Sequence, residues 1–171
     1  MTSALDESKV VDLTRTLAGP FCTMMLGDMG AEVTKIEEPK LGDETRSWTP
    51  FWNDEGTQFL TFNRNKRSLS LNLKEQEGID IVLGLAAKAD LMVESFRAGA
   101  LDRMGLGYDA VRAVNPNICL FFKSDAAYEA LGLAFGQRTS GGNPRFNTLL
   151  SAQRAARSSM TSGQPQVTEK I

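Results

Sequence analysis

The sequence predicts an α/β fold in which a parallel sheet is covered by helices on both faces. Short segments rich in β-branched residues alternate along the chain with segments of helical period, which is the pattern of successive βαβ units. The first unit has a tight turn between its strand and its helix, and such turns hold phosphate-bearing ligands at the carboxyl edge of a parallel sheet. We therefore expect a ligand site at this edge.

The first three predicted elements are a strand over residues 10–13, a helix over residues 20–28 and a strand over residues 31–36. The first strand is rich in valine, which suits a buried strand. Pro20 stands at the first helical position, where a backbone N–H would have no helical partner in any case. Gly30 suits the end of the helix, because glycine readily adopts the left-handed conformation that closes many helices.

The middle of the chain is predicted to hold a loop, a strand and a helix. Residues 40–56 show no regular period, so we predict a loop, and its two tryptophans and Phe51 indicate that it packs against another surface. Residues 68–73 alternate polar and apolar side chains, which predicts a strand with one covered face. Residues 75–89 form the clearest helix, since their apolar side chains recur with helical period behind acidic residues.

The alternation continues up to Ser124. We predict a strand over residues 91–93, short helices over residues 101–106 and 108–114, and a strand over residues 118–122. Turn-forming and polar residues dominate after that point. We therefore expect one domain over residues 1–125 and a divergent tail over residues 126–171 that is weakly helical to disordered.

The composition excludes several classes of function. The 171 residues carry a net charge of −2, which gives no attraction to nucleic acid or anionic membranes, and no apolar run is long enough to span a bilayer. Cys22 and Cys119 lack a CxxC partner, so we expect a reduced, cytoplasmic chain. The absence of histidine excludes His-based acid–base catalysis and nearly all catalytic zinc sites, and we expect no metal.

The acidic residues leave alternatives open. The turn over residues 16–20 lacks the glycine fingerprint of dinucleotide folds, although Glu37 and Glu38 stand where such folds place a ribose-binding acid. On spacing alone, a surface acid pair is an equal alternative. Adjacent carboxylates on a loop point in different directions, so for these residues and for Asp43 and Glu44 we favour solvation over a magnesium or catalytic site.

Basic side chains cluster near the predicted strand ends. Arg64, Lys66 and Arg67 precede a strand, and for them a solvated face is favoured over phosphate binding. Arg97 and Arg103 follow another strand, at the carboxyl edge where the ligands of α/β proteins bind. The repeated placement of cations near strand ends favours a phosphate-bearing ligand without naming it.

Several blocks of sequence resemble one family. These blocks are VDLTRTLAGPFCTM (11–24), LGDMGAEVTKIE (26–37), GDETR (42–46), NRNKRS (63–68) and ADLMVESFRAGALDRMGLGY (89–108). They closely resemble the class III CoA-transferase family, which contains the formyl-CoA:oxalate, carnitine and bile-acid CoA-transferases. The resemblance implies a Rossmann-like domain that binds coenzyme A, within a much longer polypeptide that pairs as an interlocked homodimer.

The resemblance also implies which residues contact coenzyme A. They are Leu17 and Ala18 at the first turn, Leu71 and Lys74 beside the adenine and phosphates, Ser95 and Phe96 after the strand over residues 91–93, and Arg103 on a phosphate. Glu38 is a departure, because many members of the family carry at this position an arginine that helps to hold coenzyme A. A carboxylate near the phosphates would repel them.

In this family, coenzyme A moves from an acyl-CoA donor to a carboxylic acid through covalent intermediates on an aspartate, which divides a difficult step into easier ones. The resemblance puts that aspartate at the very end of this chain, where none is present, and the last aspartate in the sequence is Asp125. We therefore expect the CoA-binding portion of a transferase, truncated before its nucleophile and inactive alone. The alternatives are a non-catalytic CoA-binding or dimerisation module and a remnant without function.

Overall fold

The computed structural model describes residues 3–122, so the predicted tail lies outside the described residues. The strands of this part are β1 (Lys9–Leu13), β2 (Glu32–Glu37), β3 (Phe51–Trp52), β4 (Glu55–Gly56), β5 (Lys66–Ser70), β6 (Leu91–Glu94) and β7 (Cys119–Phe122). Its α-helices are α1 (Ala18–Asp28), α2 (Thr57–Phe62), α3 (Gln76–Ala86), α4 (Ala100–Met104) and α5 (Tyr108–Val114), and a 3₁₀-helix covers Glu44–Ser47. None of the described helices is long and apolar enough to cross a membrane.

Five strands form one parallel sheet in the order β5-β2-β1-β6-β7. The chain moves outward from β1 through β2 and β5 on one side, and through β6 and β7 on the other. This reversal leaves a crevice outside the carboxyl ends of β1 and β6, which is where open α/β sheets bind their ligands. The predicted fold class, a Rossmann-like parallel sheet, is confirmed.

Each face of the sheet has its own apolar core, because successive residues of a strand point to opposite faces. On one face, Val10 and Val33 pack with Leu26 of α1. On the other face, Val11 and Met92 pack against α3, whose buried residues follow the helical period: Gly78, Ile79, Val82 and Ala86. Full burial of an aliphatic side chain contributes about 1.5–3 kcal/mol, so these two cores hold helices on both faces of the sheet.

The segment between β2 and β5 differs most from the sequence-based expectation. It contains the β3–β4 hairpin, in which Phe51 and Trp52 are 52% and 65% exposed, so the packing expected for these two side chains is not seen among the described residues. The helix α2 was not predicted, and none of its residues is fully buried. β5 begins earlier than predicted and ends at Ser70, although the N–H of Leu71 still donates to the carbonyl of Glu37 at 2.9 Å.

Candidate functional site at the carboxyl edge of the sheet

Asp12 lies beneath the turn that joins β1 to α1. This side chain is 0% exposed, and its Oδ1 accepts hydrogen bonds from the N–H of Thr14 at 2.9 Å and from the Thr14 hydroxyl at 2.5 Å. Its Oδ2 accepts from the Thr23 hydroxyl at 2.6 Å and from Lys66 Nζ at 3.0 Å. A buried carboxylate is tolerated only when it is paired and hydrogen-bonded, and these four donors meet that requirement.

Lys35 supports the same turn from β2. Its Nζ donates to the carbonyl oxygen of Thr14 at 2.9 Å and lies 2.8 Å from Asp43 Oδ2, and both side chains are almost fully buried. Burial alone would raise the pKa of Asp43, but hydrogen bonds from Lys35 and Thr45 outweigh it and keep this pKa below its usual value. The ion pair therefore ties the loop after β2 to the turn after β1.

The loop after β6 contacts the turn from the other side. The N–H of Arg15 donates to Ser95 Oγ at 3.0 Å, and the Arg15 guanidinium carbon lies 5.3 Å from the centre of the Phe96 ring. Within the turn, Thr16 has a φ of 71°, which is unfavourable for a β-branched residue. Backbone strain of this kind persists only where the surroundings hold it, and it clusters at ligand sites.

The residues expected to contact coenzyme A all follow the carboxyl ends of strands. They are Leu17 and Ala18 at the start of α1, Ser95 and Phe96 in the loop after β6, Arg103 on α4, and Leu71 and Lys74 after β5. The contact between Arg15 and Ser95 brings the turn that holds Leu17 and Ala18 together with the loop that holds Ser95 and Phe96. Leu71 and Lys74 lie farther along the same edge, because β2 separates β5 from β1.

Four exposed cations at this edge, Arg15, Lys74, Arg97 and Arg103, form no ion pair with any other residue between 3 and 122. The Arg103 guanidinium turns back toward the loop after β6, where a Cβ on Gly99 would lie 3.3 Å from it. Arginine and lysine side chains without a carboxylate partner are suited to binding phosphate groups.

The basic residues before and within β5 behave differently. Arg64 pairs with Asp28 at 2.6 Å, and Arg67 pairs with Glu32, in both cases at the protein surface. Lys66 is directed inward, and its side chain is 2% exposed in its ion pair with Asp12. The expectation of a solvated face is therefore wrong for Lys66, whose ammonium group is too deeply buried to meet a ligand phosphate.

The expectation of solvated acid pairs is also wrong in part, because Glu37 and Asp43 are buried. Glu37 accepts two hydrogen bonds from Arg46, both at 2.8 Å, and a third from Ser68 at 2.6 Å. Burial opposes the charged form, but these bonds prevail and lower the pKa of Glu37 to about 2. Its carboxylate is therefore engaged, which removes the ribose-binding interpretation. Glu38 instead caps the next turn by accepting the N–H groups of residues 40 and 41.

The thiols show no sign of activation. Cys22 and Cys119 are half-buried, and burial raises the pKa of both thiols, which disfavours the nucleophilic thiolate. Within the described part of the chain, no three side chains of the metal-ligating types are grouped so that they could hold an ion.

Glu94 is the last residue of β6 and lies beside the candidate site. Unlike Asp12, Glu37 and Asp43, this buried acid forms no ion pair within the described part of the chain. It is 7% exposed, and one carboxylate oxygen accepts the N–H of Phe96 at 2.5 Å. Burial is the main cause that raises the pKa of Glu94 from 4.5 to about 7, and the Asp102 carboxylate adds to it, while the Phe96 N–H opposes it. This carboxyl group therefore anchors the loop after β6 and titrates near neutral pH.

Replacing Glu94 with glutamine is expected to change how stability depends on pH. The folded-state pKa is raised from 4.5 to about 7, so wild-type stability falls as the pH rises through that window. Above this window the wild type has lost about 3 kcal/mol of its free energy of unfolding. E94Q has no carboxyl group to ionise, so it does not lose this stability, and its amide oxygen can still accept from the N–H of Phe96. Urea unfolding at pH 5 and pH 8 measures this. If E94Q and wild type differed in free energy of unfolding by the same amount at both pH values, the proposed titration of Glu94 would be contradicted. E77Q is the control, because Glu77 is exposed on α3.

Sequence reasoning missed Asp12, Lys35 and Lys66 as supports of the turn. A signal was present for Asp12, because it interrupts the apolar run of Val10, Val11 and Leu13. A charged residue at a buried strand position needs a buried partner. The identity of the partner could not be read from the sequence, since Lys66 is 54 residues from Asp12.

Comparison with known proteins gives a consistent result. The sequence profile described as "CoA-transferase family III" matches residues 5–126. Succinyl-CoA:glutarate CoA-transferase of Mus musculus is 52% identical over 115 residues, which are 67% of this chain and 26% of the relative. Formyl-CoA:oxalate CoA-transferase of Escherichia coli is 36% identical over 151 residues, which are 82% of this chain and 36% of the relative.

Solved structures agree with these sequence relatives. The crystal structure of a CAIB/BAIF family protein from Brucella suis aligns with a TM-score of 0.70 at 28% identity, covering 97% of this chain and 52% of the other. The chain thus spans only 26% and 36% of the length of the two curated relatives. With the matching profile over most of its length, this chain belongs to CoA-transferase family III.

Proposed function

We propose that this chain is the CoA-binding portion of an enzyme that moves coenzyme A from an acyl-CoA donor to a carboxylic acid. The observation that carries the proposal is a group of exposed arginines, Arg15, Arg97 and Arg103, around the crevice at the carboxyl ends of β1 and β6, which form no ion pair among the described residues. Coenzyme A brings a pyrophosphate and a further phosphate, and exposed arginines at a topological switch point suit such a ligand. Membership of CoA-transferase family III supports the same ligand.

The side chains around these cations also suit the rest of the ligand. Leu17 is 42% exposed beside the turn, and Leu71 is partly buried after β5, so both offer apolar surface to an adenine ring. Phe96 is half-buried under the Arg15 guanidinium. We propose that Leu17, Ala18, Leu71, Lys74, Ser95, Phe96 and Arg103 contact coenzyme A. The carboxylate of Glu38 is bound to backbone N–H groups of its own turn, which limits its repulsion of the phosphates.

The proposed reaction needs an aspartate from outside this chain. Its carboxylate would attack the thioester carbonyl of the donor. The carbon–sulfur bond would then break, which releases the CoA thiolate and forms an anhydride between the donor acyl group and the aspartate. The thiolate would then attack the aspartyl carbonyl, which releases the donor acid and forms an aspartyl–CoA thioester. The acceptor carboxylate would attack the aspartyl carbonyl and break its carbon–sulfur bond, which frees the thiolate and forms an acceptor–aspartate anhydride. Attack of the thiolate on the acceptor's carbonyl would then give the new acyl-CoA and release the aspartate as a free carboxylate.

Calorimetry with coenzyme A tests the proposed binding. We expect measurable heat from the 171-residue chain. R103Q should bind coenzyme A about tenfold more weakly, because one charge-assisted contact with a phosphate is lost. The matched control is R64Q, since Arg64 precedes β5 and therefore lies at the opposite, amino edge of the sheet. Equal affinities of R103Q and R64Q would contradict the placement of the phosphates.

The same preparation tests the missing nucleophile. With succinyl-CoA and glutarate, the pair named for the mouse relative, we expect no exchange of coenzyme A by the isolated chain. Turnover would contradict the proposal that the aspartate lies outside it. Binding without turnover is the expected result.

A dimerisation module is the second candidate, and one observation favours it. Phe21 and Met25 of α1 are each 47% exposed, and Leu60 of α2 is 38% exposed. Phe21 also meets the ring of Phe62 edge to face, so α1 and α2 adjoin, and exposed apolar surface on adjoining elements marks protein interfaces. We propose a homodimer, as the family resemblance implies, and light scattering that shows a monomer with or without coenzyme A would exclude it. We also propose a domain over residues 1–125 and a cytoplasmic location.

A further inference from the structure

Thr14 opens the turn between β1 and α1, and the structure gives it little freedom. Its N–H and hydroxyl donate to Asp12 Oδ1, and its carbonyl accepts from Lys35 Nζ at 2.9 Å. Its side chain also packs on Gly19, where an added Cβ would lie 2.4 Å from the Thr14 Cβ. The strained Thr16 follows two residues later. The shape of the turn therefore depends on how firmly the Asp12 carboxylate is held.

Two donors hold the other oxygen of this carboxylate, and they are not equivalent. Lys66 Nζ shares its N–H groups among Asp12 at 3.0 Å, the carbonyl of Pro20 at 2.9 Å and Asn63 Oδ1 at 2.8 Å. The hydroxyl of Thr23 has a single hydrogen, and its shortest acceptor is Asp12 Oδ2 at 2.6 Å. Thr23 is 0% exposed within α1, so this bond links the helix directly to the carboxylate.

We propose that Thr23 is a positioning residue for coenzyme A. It acts through Asp12 to hold the turn over residues 14–18 in the conformation that binds coenzyme A. This inference rests on the proposed function. Thr23 is 0% exposed, so it does not contact the ligand itself. Without its hydroxyl, Asp12 Oδ2 keeps only Lys66, and the carboxylate can rotate away from Thr14. Coenzyme A must then order the turn when it binds, and the free energy spent on this ordering weakens the affinity of the chain for coenzyme A.

The variant T23V tests the inference, because valine keeps the branched shape of threonine and removes only the hydroxyl function. In the 171-residue chain that carries T23V, we expect the amides of Thr14 and Arg15 to exchange with solvent about tenfold faster than in wild type. Calorimetry should show coenzyme A bound about tenfold more weakly. T23S keeps the hydroxyl and should restore both values. T61V is the matched control, since Thr61 donates to the carbonyl of Thr57 on the surface of α2 and should change neither value.

Each outcome decides one part of the inference. Unchanged exchange at Thr14 and Arg15 in T23V would overturn it, and so would equally faster exchange in α3, which would show general destabilisation. Faster exchange at the turn with unchanged affinity would overturn the link to coenzyme A. If the wild-type chain gives no heat with coenzyme A, the proposed function fails, and the exchange of the turn amides alone still decides whether Thr23 positions the turn.

Discussion

Replacing Lys35 with methionine should lower the free energy of unfolding by about 3–5 kcal/mol, the usual cost of leaving a buried charge without its partner. Methionine matches the length of the lysine stem but removes the ammonium group that lies 2.8 Å from Asp43 Oδ2. The carbonyl of Thr14 loses its donor as well. Urea unfolding followed by circular dichroism gives the value directly.

A control and a second variant separate the charge effect from the loss of a long side chain. K88M changes an exposed lysine after α3 and should alter stability by no more than about 0.5 kcal/mol. In K35M/D43N the buried negative charge is also removed, and the asparagine oxygen can still accept from Thr45. We expect the double variant to be more stable than K35M. A double variant no more stable than K35M would show that the unpaired charge was not the cause.

Replacing Gly19 with alanine is the second change for which we expect a large effect. The added Cβ would lie 2.4 Å from the Thr14 Cβ, and neither atom is at the end of a flexible side chain, so α1 or the turn must move. We expect a loss of about 1–3 kcal/mol in stability, typical of overpacking. Coenzyme A should bind at least about tenfold more weakly, because the turn that meets it is displaced.

Gly84 supplies the matched control for this substitution. It lies inside α3, and an added Cβ would have no atom within 4 Å. G84A should stabilise the chain by about 0.5–1 kcal/mol, since alanine is the better helix former, and should leave the affinity for coenzyme A unchanged. If G19A and G84A had the same effects on stability and affinity, the close approach of α1 to Thr14 would not constrain the turn.

Periodicity and local chemistry predicted most of the sheet and its helices. Residues 108–114 were predicted as a helix and form α5, and Pro20 marked the start of α1 to within two residues. The helix α2 could not be predicted from the sequence, because it is short, lacks a side-chain cap and buries none of its residues fully. No apolar period therefore marks it. Weak segments of this kind form only because neighbouring elements support them.

The site was predictable only where it depends on position along the chain. The expected contact residues follow strand ends, and parallel strands bring their carboxyl ends to one edge. Glu37 and Lys66 were misjudged, because a charged residue beside a turn looks solvated whether or not it faces inward. Their partners, Arg46 and Asp12, were identified only once the strands were paired.

The sequence alone indicated the family, the succession of the five strands of the main sheet with helices α1, α3, α4 and α5, and the edge of the sheet at which a phosphate-bearing ligand is expected. The tertiary structure decided which charges remain available for that ligand. Lys35 and Lys66 are enclosed with Asp43 and Asp12, while Arg15, Arg97 and Arg103 stay exposed at the crevice. The physical reason is desolvation: a charge can be buried only against a partner, and strand pairing decides which charges meet.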